Sequence, residues 1–357
     1  MKKTDFLFIL FISQTLFCFA QNTSDAAYAL LHSLIKDEKV MGAAAAFSVN
    51  GDIVWESAVG FSDDTKVFTI DTEVRTASIA KSMTAVAIMQ LVEQGLIDIN
   101  LPVDHYLPEF VQKGKAKITT AHLLSHTSGI DAYKNSKETE NKINYPTLQD
   151  AYEVFKNRKL RFEPGTEFYY TTYGYVVLGL LIEKVSGLSY EDYMQKHIWD
   201  KVNMEHTGIE NPEVKRENAS ILYRRDRKGN IKKSKVNNLS NRIPGGGFYS
   251  TIGDLIKFGN ALLNHTLVTK ATLELMIEHH SLEKVNNGYG FGFFLYGKQP
   301  NEGSIYGHSG AQTGSSTQFF VIPSLKTVTV AISNTSGASR DISAVAGQLI
   351  DISQQED

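Results

Sequence analysis

The sequence predicts an α+β fold: an antiparallel sheet flanked by helices, with a helical lobe inserted between its strands. Strand signals gather at both ends of the chain and helical spacing fills the middle. A long apolar helix starting near Ser78 supplies the element that both parts pack around.

In chain order, residues 25–38 (DAAYALLHSLIKDE) have helical spacing. GAAAAFSVNGDIVWESAVGFSD reads as two strands joined at Asn50-Gly51, a pair that favours the tight hairpin turn. RTASIAKSMTAVAIMQLVEQG follows. Its apolar residues lie on more than one side, so the helix is buried, and Gly95 is a natural stop. LPVDHYLPEF, with Pro102 and Pro108, reads as an extended link. TTAHLLSHTSGI, TLQDAYEVFKNRKL, YGYVVLGLLIEKVSG and SYEDYMQKHIWDKV then read as mostly helix and loop. Residues 215–235 are basic and turn at Lys228-Gly229-Asn230, as a solvated surface hairpin would. In PGGGFYSTIGDLIKFGNALL, three glycines let backbone approach a ligand or strand, and Ser250 or Thr251 caps the next helix. YGFGFFLY, SIYGHSG, STQFFVI and KTVTVAIS read as strands, the last two joined at Pro323-Ser324, and residues 339–351 as a closing helix. The expected organisation is a targeting segment over 1–20 and one domain over 21–357. Its sheet lobe takes about 21–100 and 241–357, its helical lobe about 101–240.

The 357 residues suffice for such a domain, and 42% hydrophobic with 21% charged residues is ordinary for a globular one. A net charge of −3 gives no pull toward nucleic acid, so no nucleic-acid partner is expected. Lys2 and Lys3, the apolar run from Phe6 to Phe17, and Cys18-Phe19-Ala20 fit a cleaved export signal ending before Gln21. That implies a periplasmic or secreted protein with no membrane span in the mature chain; a lipid anchor on Cys18 is disfavoured by Phe17. The single cysteine lies in this segment, so the mature chain has no disulfide, cysteine nucleophile or thiolate metal site.

Ser78 and Lys81 are three apart at the head of the buried helix, a spacing that puts them on one face. Burial lowers a lysine's pKa, and a neutral amine can take a proton from a serine hydroxyl. The same spacing at Ser33–Lys36 and Ser281–Lys284 lacks an apolar helix behind it, and reads as an exposed pair. His122 and His126 are four apart, but no glutamate follows the first histidine as in H-E-x-x-H. No metal or cofactor is expected, and His126 reads as holding a turn. Tyr170 lies in the aromatic run Phe168 to Tyr175, where a tyrosine alone would more often be core or rim. Gly307-His308-Ser309-Gly310 is a strand whose small residues can lie beside a substrate.

RTASIAKS, LLSHTSGI, PGTEFYYTTYGY, GGGFYSTIGDLIKFG and GHSG occur in this order. Together they resemble the serine β-lactamase and penicillin-binding-protein superfamily, on the side of class C β-lactamases and related D-amino-acid peptidases and esterases. The resemblance runs from about residue 40 to 335, and its wording is especially similar to the mitochondrial serine β-lactamase-like branch. It implies the β-lactamase/transpeptidase-like fold. It also implies that Ser78 is the acylated nucleophile, with Lys81 and Tyr170 managing protons. Ser78 and Ala311 N–H would form the oxyanion hole, and Thr172, His308, Ser309 and Gly310 would bind substrate. Thr172 stands where the family has asparagine and His308 where lactamases have lysine, which makes an efficient penicillinase less expected. Histidine, with an ordinary pKa of about 6.5, would titrate where lysine stays charged.

The reading implied is an exported serine hydrolase that cleaves an amide, peptide or ester bond through an acyl-enzyme. A true β-lactamase or D,D-carboxypeptidase is the alternative within the same chemistry. A catalytically silent assembly protein on the same fold is the alternative outside it.

Overall fold

A computed structural model describes residues 23–111, 114–280, 288–296 and 305–356. The targeting segment and Ser281–Lys284 lie outside these residues.

Six strands form the main sheet, in the order Asp52–Gly60, Gly42–Val49, Thr327–Ser333, Ser315–Ile322, Ile305–Gln312, Phe294–Tyr296, all neighbours antiparallel. The first two strands turn at Asn50 and Gly51, both at positive φ (54° and 97°), the conformation an Asn-Gly hairpin provides. Chain ends meet chain start through the pairing of Ala43–Val49 with Thr327–Ser333.

Both faces of the sheet are covered. On one, Ala43, Ala45, Phe47, Phe320 and Ala331 pack with Ala27, Leu31 and Leu34 of the first helix (residues 23–36). Ile342, Val345 and Leu349 of the closing helix Ser339–Ser353 complete that layer. On the other, Ala44, Ala46, Phe319, Val328 and Val330 join a larger core with the Ile252–Leu263 helix. A strand covered on both faces need not alternate with polar residues, which explains the unbroken apolar run Gly42–Phe47.

The larger core continues through the helices Ala80–Glu93 and Tyr173–Ser186 into the region of residues 103–199. Ala80 to Met89 are all buried. Each large apolar side chain among them contributes roughly 1.5–3 kcal/mol by leaving water. The polar members of this helix are satisfied internally: Ser82 donates to Gly292 O at 2.7 Å, and Thr84 Oγ1 lies 2.6 Å from both Pro244 O and the Tyr190 hydroxyl. Among the described residues, no helix is long and apolar enough to cross a membrane.

Three elements differ from the sequence expectation. The helix read over SYEDYMQKHIWDKV is α only at Tyr190–Met194, then winds as a π turn (Gln195–Trp199) and a 3-10 turn (Asp200–Val202). The strand read over YGFGFFLY is limited to Phe294–Tyr296. Gly292 sits at φ 82° and Gly290 packs where a Cβ would stand 2.2 Å from Met276 O, so that segment is a tight turn. The link between Pro102 and Pro108 holds one short helix, Val103–Tyr106.

Candidate active site

Ser78 lies in a 3-10 turn, Ala77–Ile79, and the α-helix begins one residue later at Ala80. Ala77 has φ 50°, a left-handed conformation that costs a non-glycine residue of order 1 kcal/mol or more. The surroundings hold it there. Thr76 N donates to Phe248 O at 2.9 Å, Thr317 Oγ1 donates to Thr76 O at 3.0 Å, and Ser315 Oγ donates to Arg75 O. Gly310 faces the same turn, and a Cβ there would stand 2.4 Å from Thr76 O and 3.0 Å from the Ala77 Cβ. Only glycine lets the Ile305–Gln312 strand come this close.

Phe294–Tyr296 pairs with residues 305–307 of that strand, which leaves the outward edge of His308–Gln312 with no strand partner among the described residues. The Ala77–Ile79 turn lies against this edge. Ala311 is exposed there, and Ser309 is half-buried.

Lys81 is completely buried. Its Nζ lies 3.2 Å from Ser78 Oγ, 3.3 Å from Thr172 Oγ1 and 2.5 Å from Gly245 O. The rings of Tyr170 and Tyr175 stand 4.9 and 5.6 Å away. None of these partners carries negative charge. Burial, and next the positive charge of Arg242, therefore push the Lys81 pKa far below that of a free lysine.

Tyr170 is hydrogen-bonded to Ser78, and burial raises its pKa strongly against that bond, so it stays a neutral phenol. His126 fixes it from behind. His126 O accepts from Tyr169 N at 2.9 Å, its Nδ1 accepts from Thr171 N at 3.3 Å, and its ring centroid is 4.2 Å from that of Tyr170. His122 has a separate job, accepting at Nδ1 from Thr119 N to close a helix cap. Among the described residues, no three His, Cys, Asp or Glu side chains gather as metal ligands would.

Thr172 precedes the Tyr173–Ser186 helix but does not cap it; Thr171 Oγ1 takes the Tyr173 N–H at 3.3 Å instead. The Thr172 hydroxyl is left to accept from Lys81 Nζ at 3.3 Å. Gly245 fits beneath it, where a Cβ would stand 2.5 Å from Thr172 Cγ2.

His308 departs from the ordinary histidine pKa that the sequence suggested. Its ring is fully buried, Nδ1 donates to Ser309 O at 2.6 Å, and Nε2 lies 3.0 Å from the Tyr289 hydroxyl. Burial first, then the nearby Lys81, push its pKa down to about 3, so the imidazole is neutral at physiological pH. The family's lysine position is thus filled by an uncharged ring packed on Phe294, with centroids 4.8 Å apart.

The structure brings Ser78, Lys81, Tyr170 and Thr172 together and sets Gly310 against the same turn. Sequence reading missed Gly245 O, Tyr133 and Arg242. The triple glycine gave a partial signal, since it marks close backbone approach. Tyr133 and Arg242 sit in no local pattern that distinguishes them.

The fold is of the β-lactamase/transpeptidase-like architecture. The chain belongs to the Beta-lactamase family, whose model matches residues 28–350. It is 33% identical over 321 residues to the human mitochondrial serine beta-lactamase-like protein LACTB, covering 69% of this chain and 57% of that protein. It thus spans less than two thirds of that relative's length. Among solved structures it is similar to the octameric penicillin-binding protein homologue from Pyrococcus abyssi. That match has 26% identity and a TM-score of 0.78, over 92% of this chain and 77% of the other. A D-stereospecific amidohydrolase from Streptomyces is also similar, with 26% identity and a TM-score of 0.71, over 92% of this chain and 98% of the other.

Proposed function

We propose that this protein is an exported serine hydrolase that cleaves an amide, peptide or ester bond through an acyl-enzyme on Ser78. The observation that carries it is the buried Lys81 amine 3.2 Å from Ser78 Oγ, with no carboxylate among its partners. A neutral amine has two N–H groups and one lone pair. Gly245 O can only accept, and Thr172 Oγ1 takes the second N–H. The lone pair is then left for the Ser78 hydroxyl.

In this reading Ser78 Oγ attacks the carbonyl carbon and its proton passes to Lys81 Nζ. The oxyanion forms between the N–H groups of Ser78 and Ala311, the second from the unpaired strand edge. The neutral Tyr170 phenol gives its proton to the leaving group and recovers one from Lys81. Water then attacks the acyl carbonyl by the reverse route, releasing the acid and free Ser78. Thr172, Ser309 and Gly310 would line the acyl donor, and His308 would act only by shaping the wall.

The amidohydrolase and penicillin-binding-protein likenesses support amide or peptide bonds as substrates. The neutral ring at His308 supports slow turnover of carboxylate-bearing β-lactams, because a lactamase-type lysine charge is missing there. Export rests on the charged, apolar and small-residue pattern of residues 1–20. A fluorophosphonate probe is expected to add to wild-type protein and not to Ser78→Ala, by intact mass. Labelling that survives the substitution would place the nucleophile elsewhere. Turnover of a chromogenic cephalosporin faster than that of p-nitrophenyl acetate would favour a true β-lactamase.

A further inference from the structure

Arg242 is buried three residues before the first glycine of the triple-glycine turn. Its Nε donates to Asn241 Oδ1 at 2.8 Å, and its Nη2 to Thr139 O at 2.9 Å and to Glu138 O. Its guanidinium carbon lies 4.5 Å from the ring centroid of Tyr133. Every one of these partners is neutral. The one carboxylate on the same loop that could reach it, Glu138, is turned away: it accepts from Arg158 Nη2 at 2.8 Å, the Tyr173 hydroxyl at 3.0 Å and Lys134 N at 3.1 Å. Among the described residues Arg242 makes no ion pair.

A buried guanidinium cannot shed its proton, so its charge persists where it lies. Gly245, three residues after Arg242, gives its carbonyl to the Lys81 amine at 2.5 Å and packs on Thr172. We propose that Arg242 is a positioning residue for the Ser78 chemistry, and that its uncompensated charge, lodged beside Tyr133 at the head of the Gly245 turn, disfavours a second positive charge at Lys81. This rests on the acyl-enzyme reading above. The other groups around Lys81 are neutral or polar: Ser78 from the turn, Thr172 and the phenols Tyr170 and Tyr175, the Gly245 carbonyl, and the imidazoles of His126 and His308. Both imidazoles are held neutral by burial. The Arg242 charge adds to burial in lowering the pKa of the amine.

Removing a positive charge makes Lys81 easier to protonate, so the acid limb of kcat/KM should move to higher pH. The experiment measures p-nitrophenyl acetate hydrolysis and fluorophosphonate labelling against pH in wild type, Arg242→Gln and Arg242→Lys. For Arg242→Gln the acid limb is expected to rise by about one pH unit, about a tenfold loss at a fixed pH below it. Arg242→Lys retains the charge and is expected to recover most of the shift. A limb that stays in place in Arg242→Gln while kcat falls would overturn the proposal, leaving Arg242 a structural residue. Should Arg242→Gln not fold by circular dichroism, Arg242→Met decides: it removes the same charge with an apolar chain of similar length, and an unmoved limb there also overturns it. Wild type that is not labelled at Ser78 would instead defeat the acyl-enzyme reading itself.

Discussion

Two buried cations flank Ser78, three residues to either side, and they are treated in opposite ways. Arg75 faces a carboxylate, with Nη2 donating to Glu210 Oε1 at 2.6 Å and Nε 2.5 Å from Oε2. It also donates to Asn237 Oδ1 and to the carbonyls of Asn237 and Thr313. Lys81 meets two hydroxyls and one carbonyl and no carboxylate. An arginine keeps its charge wherever it is buried, and at Arg75 the fold neutralises it with Glu210, a brace tying three segments together. A lysine can lose its proton. Burying it without an acid turns a cation into a base, at a cost in stability. The same helix start thus carries one group chosen to stay charged and one arranged to become neutral.

Lys81→Met should break the comparison most sharply. Without a base next to Ser78, the rate of acylation is expected to fall about 10²–10⁴-fold, measured by stopped labelling with fluorophosphonate. The melting temperature at pH 7 is expected to rise. The sign follows from proton binding: the unfolded chain holds a proton on Lys81 between its lowered folded pKa and about 10.4, and the folded chain does not. Stability therefore increases with pH across that window, and the substitution removes the deficit. A melting temperature that falls would mean Lys81 is charged and satisfied in the fold.

Glu210→Ala tests the other side. It leaves Arg75 charged, buried and without its acid, and is expected to cost about 3–5 kcal/mol in urea unfolding. Ser78 labelling per folded molecule should change far less than in Lys81→Met. Loss of labelling in protein that remains fully folded would show that the Arg75 brace also sets the geometry of the Ser78 turn.

The smallest effect concerns His308. Because burial holds its pKa near 3, no group at this position should titrate between pH 5 and 8. An anionic and a neutral substrate are then expected to give acid limbs at the same pH, read from kcat/KM profiles. A limb near pH 6.5 seen with the anionic substrate alone would mean that the ring is reached by solvent and charged.

Much of this was legible in the chain. The Asn50-Gly51 hairpin, the buried helix from Ala80 and the cap at Thr251 follow from local rules: a turn that wants positive φ, apolar residues on every side, a hydroxyl before a helix. Ser78 and Lys81 share a face because a helix places i and i+3 together. Sequence separation hid the rest. Gly245 O reaches Lys81 across 164 positions, and Arg242 packs on Tyr133, which belongs to a different loop. Histidine in GHSG shows a titratable ring, while its neutrality follows from packing against Tyr289 and Phe294, residues with no periodic relation to it. The sequence by itself determined which groups could react, since side-chain chemistry and helical spacing are local. Only the tertiary structure decided which of them carries charge, because charge depends on water, and water is excluded by segments distant in the chain.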